Sequence, residues 1–95
     1  MRPEQKEKLI GFLNVLFPGI KITLFGSRAR GDFKERSDYD LALDIGRKIT
    51  RLELAQADNA IEALNIPQSI DLVDIHSIPE EMKKIIFKEG IIWKD

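Results

Sequence analysis

Residues 20–25 (IKITLF) and 38–45 (DYDLALDI) alternate apolar and polar side chains, while the twelve residues between them (GSRARGDFKERS) follow neither a strand nor a helix period. A period of two marks a strand with one face in a core and the other outside it. In the second segment Tyr39, Leu41 and Leu43 share one face, so Asp38, Asp40 and Asp44 share the other. Any fold for this chain must therefore carry a row of carboxylates on the back of a strand whose front is core. The polar stretch reads as a tight turn, with one helical turn at most, followed by a loop.

The rest of the chain supplies helices and one more strand. Leu9, Phe12, Leu13 and Leu16 recur at helical spacing over residues 3–17, and Pro18-Gly19 stops that helix. Thr50 is a candidate cap for a helix reaching residue 64, with Glu53 placed for a capping box. Its buried stripe is Leu52, Leu54, Ala55, Ala57, Ile61 and Leu64. Residues 70–75 (IDLVDI) read as a third strand. Ser77 is the expected cap of a last helix, with Pro79 near its first turn, Glu80 and Glu81 at its positive end, and Gly90 as its stop. Met82, Ile85 and Ile86 would face inward. The tail IIWKD is apolar for a chain end and must pack back on the domain or lie in an interface. Residues 1–95 are expected to form one α+β domain.

Composition narrows the chemistry. The net charge is −1, so no global field draws the chain to nucleic acid or to an anionic membrane. There is no cysteine, which excludes disulfides, thiolate metal sites and a cysteine nucleophile. No apolar leader and no run of spanning length is present, so a cytoplasmic, membrane-free protein is expected. The phosphate-binding loop G-x-x-x-x-G-K-[ST], the dinucleotide turn G-x-G-x-x-G and the G-x-S-x-G elbow are all missing.

The carboxylates remain. Asp38 and Asp40 project together, and two like charges so placed raise at least one pKa unless a cation joins them. Magnesium suits hard oxygen ligands and is readily shared with substrate phosphates. Asp71, near the start of the third strand, completes a two-metal site if that strand lies beside the second. Asp74 has the opposite parity and is the alternative third ligand. Gly26 permits close backbone approach, Ser27 offers a hydroxyl, and Arg28 and Arg30 follow in the same turn, with Lys34 and Arg36 beyond. Main-chain amides at such a turn bind phosphate, and guanidinium groups recognise it bidentately. Singly, each feature has a plain reading. Gly-Ser after a strand is a common turn, Asp-x-Asp is commonly a solvated strand face, and arginines are surface charge. Asp44 sits too far along the strand to join the pair as a ligand. His76 reads as a strand-end surface residue, and Tyr39 and Trp93 as packing groups.

Jointly, the pattern is specific. GSRARGDFKERSDYDLALD resembles the signature of the polymerase-beta-type nucleotidyltransferase superfamily: Gly-Ser, ten residues, then Asp-x-Asp. The R-x-R-G after Gly-Ser and the S-D-x-D-L core are similar to the minimal nucleotidyltransferases, often encoded beside a helical HEPN-domain partner. The resemblance implies a nucleotidyltransferase fold with a short mixed sheet flanked by helices. It implies that Asp38, Asp40 and Asp71 hold two Mg²⁺, and that Gly26 and Ser27 contact the triphosphate of ATP. It also implies, in some members, an antitoxin role in a toxin–antitoxin pair, by adenylylating a HEPN ribonuclease or by binding it. Non-catalytic neutralisation of a partner and nucleotide sensing are the competing functions. The acceptor, the base preference and the oligomeric state are left open by the sequence.

Overall fold

The computed structural model describes all 95 residues. Four helices and four strands alternate along the chain: α1 (Pro3–Leu16), β1 (Lys21–Phe25), α2 (Ser27–Arg30), β2 (Tyr39–Asp44), α3 (Arg51–Glu62), β3 (Ile70–Asp74), α4 (Glu80–Glu89) and β4 (Ile91–Lys94). The strands form one mixed sheet in the order β3-β2-β1-β4. The β1 strand pairs antiparallel with both β2 and β4, and β2 pairs parallel with β3. A parallel pair needs a long crossover, and α3 provides it.

Alternation builds the core as the sequence requires. Leu9 and Leu13 of α1, Ile22 and Leu24 of β1, and Tyr39, Leu41 and Leu43 of β2 are buried in one cluster, which Ala57 and Ile61 of α3 close. On the other face, Ala42, Ile75 and Ile86 form a smaller cluster under α4. Helices thus cover both sides of the sheet, the second side only in part. No helix is long and apolar enough to cross a membrane.

Local signals act as read at α3. Thr50 Oγ1 accepts from the Glu53 amide at 3.1 Å, and Glu53 accepts from the Thr50 amide at 2.9 Å. Arg47 adds a two-pronged ion pair to Glu53 at 2.9 and 2.8 Å. With Arg47 and the Thr50 amide as donors, the Glu53 carboxyl is pulled down to about 2.

Four expectations change. Ser77 does not cap α4; the cap is Pro79, and the Ser77 hydroxyl donates to Asp74 instead. Leu52 and Ile85 point outward, 69% and 54% exposed, because each helix buries only a narrow stripe against the sheet. Ala55 is likewise exposed. The tail packs back on the domain, one of its two expected placements, and does so as a strand: β4 follows α4 with only Gly90 between them and pairs with β1. A side chain at Gly90 would collide with the Ile86 carbonyl and the Thr23 side chain, so glycine permits this close crossing over β1. Trp93 is half-buried, 6.2 Å from the Tyr39 ring, with the Lys6 ammonium 4.9 Å over it.

Asp74 is the one buried charged side chain, 4% exposed. It accepts from the Ile49 amide at 2.7 Å, the His76 amide at 3.0 Å and the Ser77 hydroxyl at 2.8 Å. Burial alone would raise its pKa, but these donors and the nearby His76 outweigh that and hold the carboxyl below its ordinary value. The end of β3 is thereby tied to the approach to α3 and to the turn before α4. Asp74→Ala should cost about 2–3 kcal/mol, since it strands a buried amide, and should lower Tm by roughly 10 °C. The lowered pKa sets the sign of the pH dependence. The stabilisation is complete above the unfolded value of ~3.9 and disappears as pH falls through the folded one. Urea titrations of the parent and Asp74→Ala should therefore converge in acid, and a constant gap from neutral pH to acid would contradict this account.

Candidate active site

The C-terminal end of β1 and the N-terminal ends of β2 and β3 meet at one end of the sheet, because Phe25 pairs with Asp40 and Asp40 with Asp71. Paired residues project to the same face. Asp40 and Asp71 therefore lie side by side, and Asp38, one residue before β2, acts on Asp40 through its charge. Asp40 is pushed above its ordinary range by burial first, then by Asp71 and Asp38, with Arg30 opposing. Three negative groups therefore meet within interaction range. Their oxygens are not gathered at ligating spacing around one point, and no set of three acidic or imidazole side chains is.

The donor set fits a hard divalent cation. All three groups are carboxylates, and Asp40 sits partly buried among like charges. Asp74, the alternative third ligand, lies on the opposite parity and is consumed by the hydrogen bonds described above.

The turn after β1 comes down onto this group. Gly26 has φ +74° and ψ −158°, a region essentially reserved for glycine, and a Cβ there would collide with the Asp40 carboxylate. Ser27 opens the single helical turn α2, which closes when the Gly31 amide donates to the Ser27 carbonyl at 2.9 Å. The two arginines then divide. Arg30 remains beside the carboxylates, half-exposed, 3.3 Å from Asp32 and 3.7 Å from Glu89. Arg28, read from the sequence as a phosphate ligand, has its guanidinium committed elsewhere. It donates to the Ser37 carbonyl at 3.0 and 3.3 Å and to the Glu35 carbonyl at 2.8 Å. Its plane also stacks 4.3 Å from Tyr39 and 4.5 Å from Phe33.

Two features carried no sequence signal. An open cleft of about 600 Å³ adjoins Asp71, walled by Asp58, Glu62, Asn65 and Gln68. Asp58 is raised by burial, then by Asp71 and Glu62, so the acidic field of the site extends into that cleft. At the far end of β2, Asp44 accepts from the Gly46 amide at 2.8 Å and lies 2.7 Å from His76 Nε2. His76 is thus the hydrogen-bond partner of Asp44 rather than a solvated strand end. Burial would raise Asp44, but the Gly46 amide and His76 hold it below its ordinary value.

A mixed sheet with helices on both faces, with Gly-Ser and three carboxylates at one end of it, defines a nucleotidyltransferase. The chain belongs to the family described as polymerase beta, nucleotidyltransferase, whose model matches residues 7–94. It is 30% identical over 83 residues to the probable protein adenylyltransferase MntA of Haemophilus influenzae, covering 87% of this chain and 73% of that protein. A Methanocaldococcus jannaschii protein, likewise named for protein adenylyltransfer, is 32% identical over 89 residues, 93% of this chain and 92% of that one. Among solved structures, a toxin–antitoxin crystal structure with AMP-PNP superposes at a TM-score of 0.78 and 25% identity, over 95% of this chain and 73% of that one. The fold also matches, at a TM-score of 0.75 and 22% identity, a complex of tri-AMPylated Shewanella oneidensis HEPN toxin with MNT antitoxin, over 100% of this chain and 74% of that one.

Two substitutions test the assembly. Gly26→Ala should cost about 1–3 kcal/mol from backbone strain and should also displace Asp40. Asp40→Asn should do the reverse. A carboxylate with a raised folded pKa destabilises the protein at pH values above it, so removing the charge should raise Tm at neutral pH without divalent metal. Thermal melts with and without Mg²⁺ decide: the parent should gain stability from Mg²⁺ and Asp40→Asn should not. A lowered melting point in Asp40→Asn would mark the residue as structural.

Proposed function

We propose that this chain transfers AMP from ATP to a hydroxyl of a HEPN-type protein partner, as the antitoxin of a toxin–antitoxin pair in the cytoplasm. The observation that carries the reading is the pairing of Asp40 with Asp71 under the Gly26-Ser27 turn, with Asp38 beside them. Asp38, Asp40 and Asp71 are the groups that would hold Mg²⁺, as metal ligands and catalytic residues together. A divalent metal bound there supplies charge that offsets the polyphosphate and lowers the pKa of the attacking hydroxyl. Gly26 lets the triphosphate approach the backbone, and Ser27 and Arg30 bind its oxygens.

The acceptor oxygen bonds to the α-phosphorus as the bond to the leaving pyrophosphate breaks. Asp71 borders the open cleft, and in this reading it accepts the hydroxyl proton. The names of the relatives and the toxin–antitoxin neighbours support a protein acceptor. Exposed apolar side chains on α4 and β4, with Phe87 at 70% and Ile92 at 64%, support docking of another polypeptide.

The direct test combines the chain, ATP, Mg²⁺ and a candidate HEPN protein, and weighs the partner by mass spectrometry. One or more added adenylates, lost with Asp40→Asn, is the expected result. A tight complex of unchanged mass would replace transfer by neutralisation through binding. Calorimetry should show that Arg30→Ala weakens triphosphate binding roughly tenfold or more, the usual worth of a charge-assisted contact. Unchanged affinity would place the triphosphate elsewhere.

A further inference from the structure

We propose that Arg28 is a positioning residue for Asp38, fixing that carboxylate through the peptide that precedes it rather than touching nucleotide. This rests on the reading of Asp38 as a metal ligand. Asp38 lies outside β2, with its side chain exposed, and lacks the ladder bonds that hold Asp40. What fixes it is on either side. The Ser37 carbonyl, in the same peptide unit as the Asp38 amide, accepts from both Nε and Nη2 of Arg28. The next amide, that of Tyr39, donates to the Ser69 carbonyl at 2.9 Å, which ties it to the start of β3. Asp38 is thus pinned at both flanks while its carboxylate stays free.

The anchor is stiff for physical reasons. The guanidinium fork engages two carbonyls, Ser37 and Glu35, and so holds the loop at two points. Stacking between Phe33 and Tyr39 fixes its plane. The Tyr39 ring is itself buried, and its hydroxyl accepts from the N-terminal ammonium at 2.7 Å. The loop end is closed by a small turn as well, in which the Lys34 amide donates to Ser37 Oγ at 2.9 Å and the Ser37 amide to the Lys34 carbonyl at 3.0 Å. Arg28 also sits two residues after Gly26, the glycine that meets Asp40. The turn that carries Arg28 therefore adjoins both carboxylates, with Gly26 against Asp40 and Arg28 gripping the approach to Asp38. A loop free to move would let Asp38 retreat from two like charges, and the anchor prevents that.

A phosphate ligand and a positioning residue behave differently when removed. Mn²⁺ binding to the purified full chain, followed by electron paramagnetic resonance with AMP-PNP present, reads the metal site without requiring transfer. In Arg28→Ala the Mn²⁺ affinity should fall roughly tenfold or more, the usual effect of losing a group that orients a ligand. The same substitution in an Asp38→Asn background should cause little further loss. AMP-PNP affinity without metal should be unchanged. Arg28→Lys keeps the charge but not the fork and should also lose metal affinity, which covers the case where the alanine variant fails to fold. A fall in metal-free AMP-PNP affinity with Mn²⁺ binding intact would make Arg28 a phosphate ligand. Equal losses in the parent and Asp38→Asn backgrounds would show that it does not act through Asp38. Either result overturns the proposal. If the parent binds Mn²⁺ as expected yet adenylylates no partner, the transfer reading fails and the positioning role stands.

Discussion

The parity of β2 is the constraint on which the rest of the molecule depends. This strand is paired on both edges, antiparallel to β1 and parallel to β3, so its register is fixed twice. Tyr39, Leu41 and Leu43 go into the main core, and Asp40 and Asp44 go to the other face. A slip of one residue would bury two carboxylates and expose three large apolar side chains, which no compensating contact in so small a core offsets. The same register that minimises this cost sets Asp40 against Asp71. Folding and site assembly are here a single event: the hydrophobic alternation that selects the sheet also selects which carboxylates meet.

That meeting carries a cost the structure distributes. Asp40 is forced above its ordinary pKa range, and Asp58 is raised in part by the same acidic field. Two cationic groups respond in different ways. Arg30 stays near enough to Asp40 to lower its pKa, while Arg28 works mechanically, gripping the loop rather than the charge. Stability comes from elsewhere, from the capping box of α3 and the three donors around Asp74. A region under electrostatic stress and regions of tight local satisfaction coexist in one small sheet, as stability–function trade-offs predict.

Much of the fold was legible in the sequence because its signals are local. Three strands, the helical turn at Ser27 and the long helices α1 and α3 follow from period, Pro-Gly and capping residues within a window of about a dozen positions. What was not legible depends on partners far along the chain. Ile91–Lys94 is too short to show a period, and becomes a strand only because β1 offers it an edge. Ser77 has the look of a cap, but its hydroxyl donates to Asp74 and Pro79 takes the cap position. Leu52 and Ile85 carry the apolar pattern on helices that bury less than their pattern suggests. At the site, parity ranked Asp71 above Asp74, and the sheet pairing puts Asp71 beside Asp40. Spacing could not tell Arg28 from Arg30, since both sit in the same turn and only the path of the loop back over α2 separates them.

Charge is also divided around the site in a way that bears on the proposed acceptor. Arg30, Lys34 and Arg36 belong to the turn and loop after β1, the side on which the triphosphate would lie. Across Asp71, the open cleft is walled by Asp58 and Glu62 with the amides Asn65 and Gln68. An incoming group that reaches the α-phosphorus through that cleft would pass Asp58 and Glu62, and Asp58 is raised by burial first and then by Asp71 and Glu62. Those carboxylates would repel a polyanion such as an RNA end, which binds through many basic contacts. A protein hydroxyl carried on a neutral or basic segment would not meet that repulsion. The chain, at a net charge of −1, offers no broad basic surface to reverse the balance. In the proposed reaction the local field thus favours a protein hydroxyl over a polyanionic acceptor.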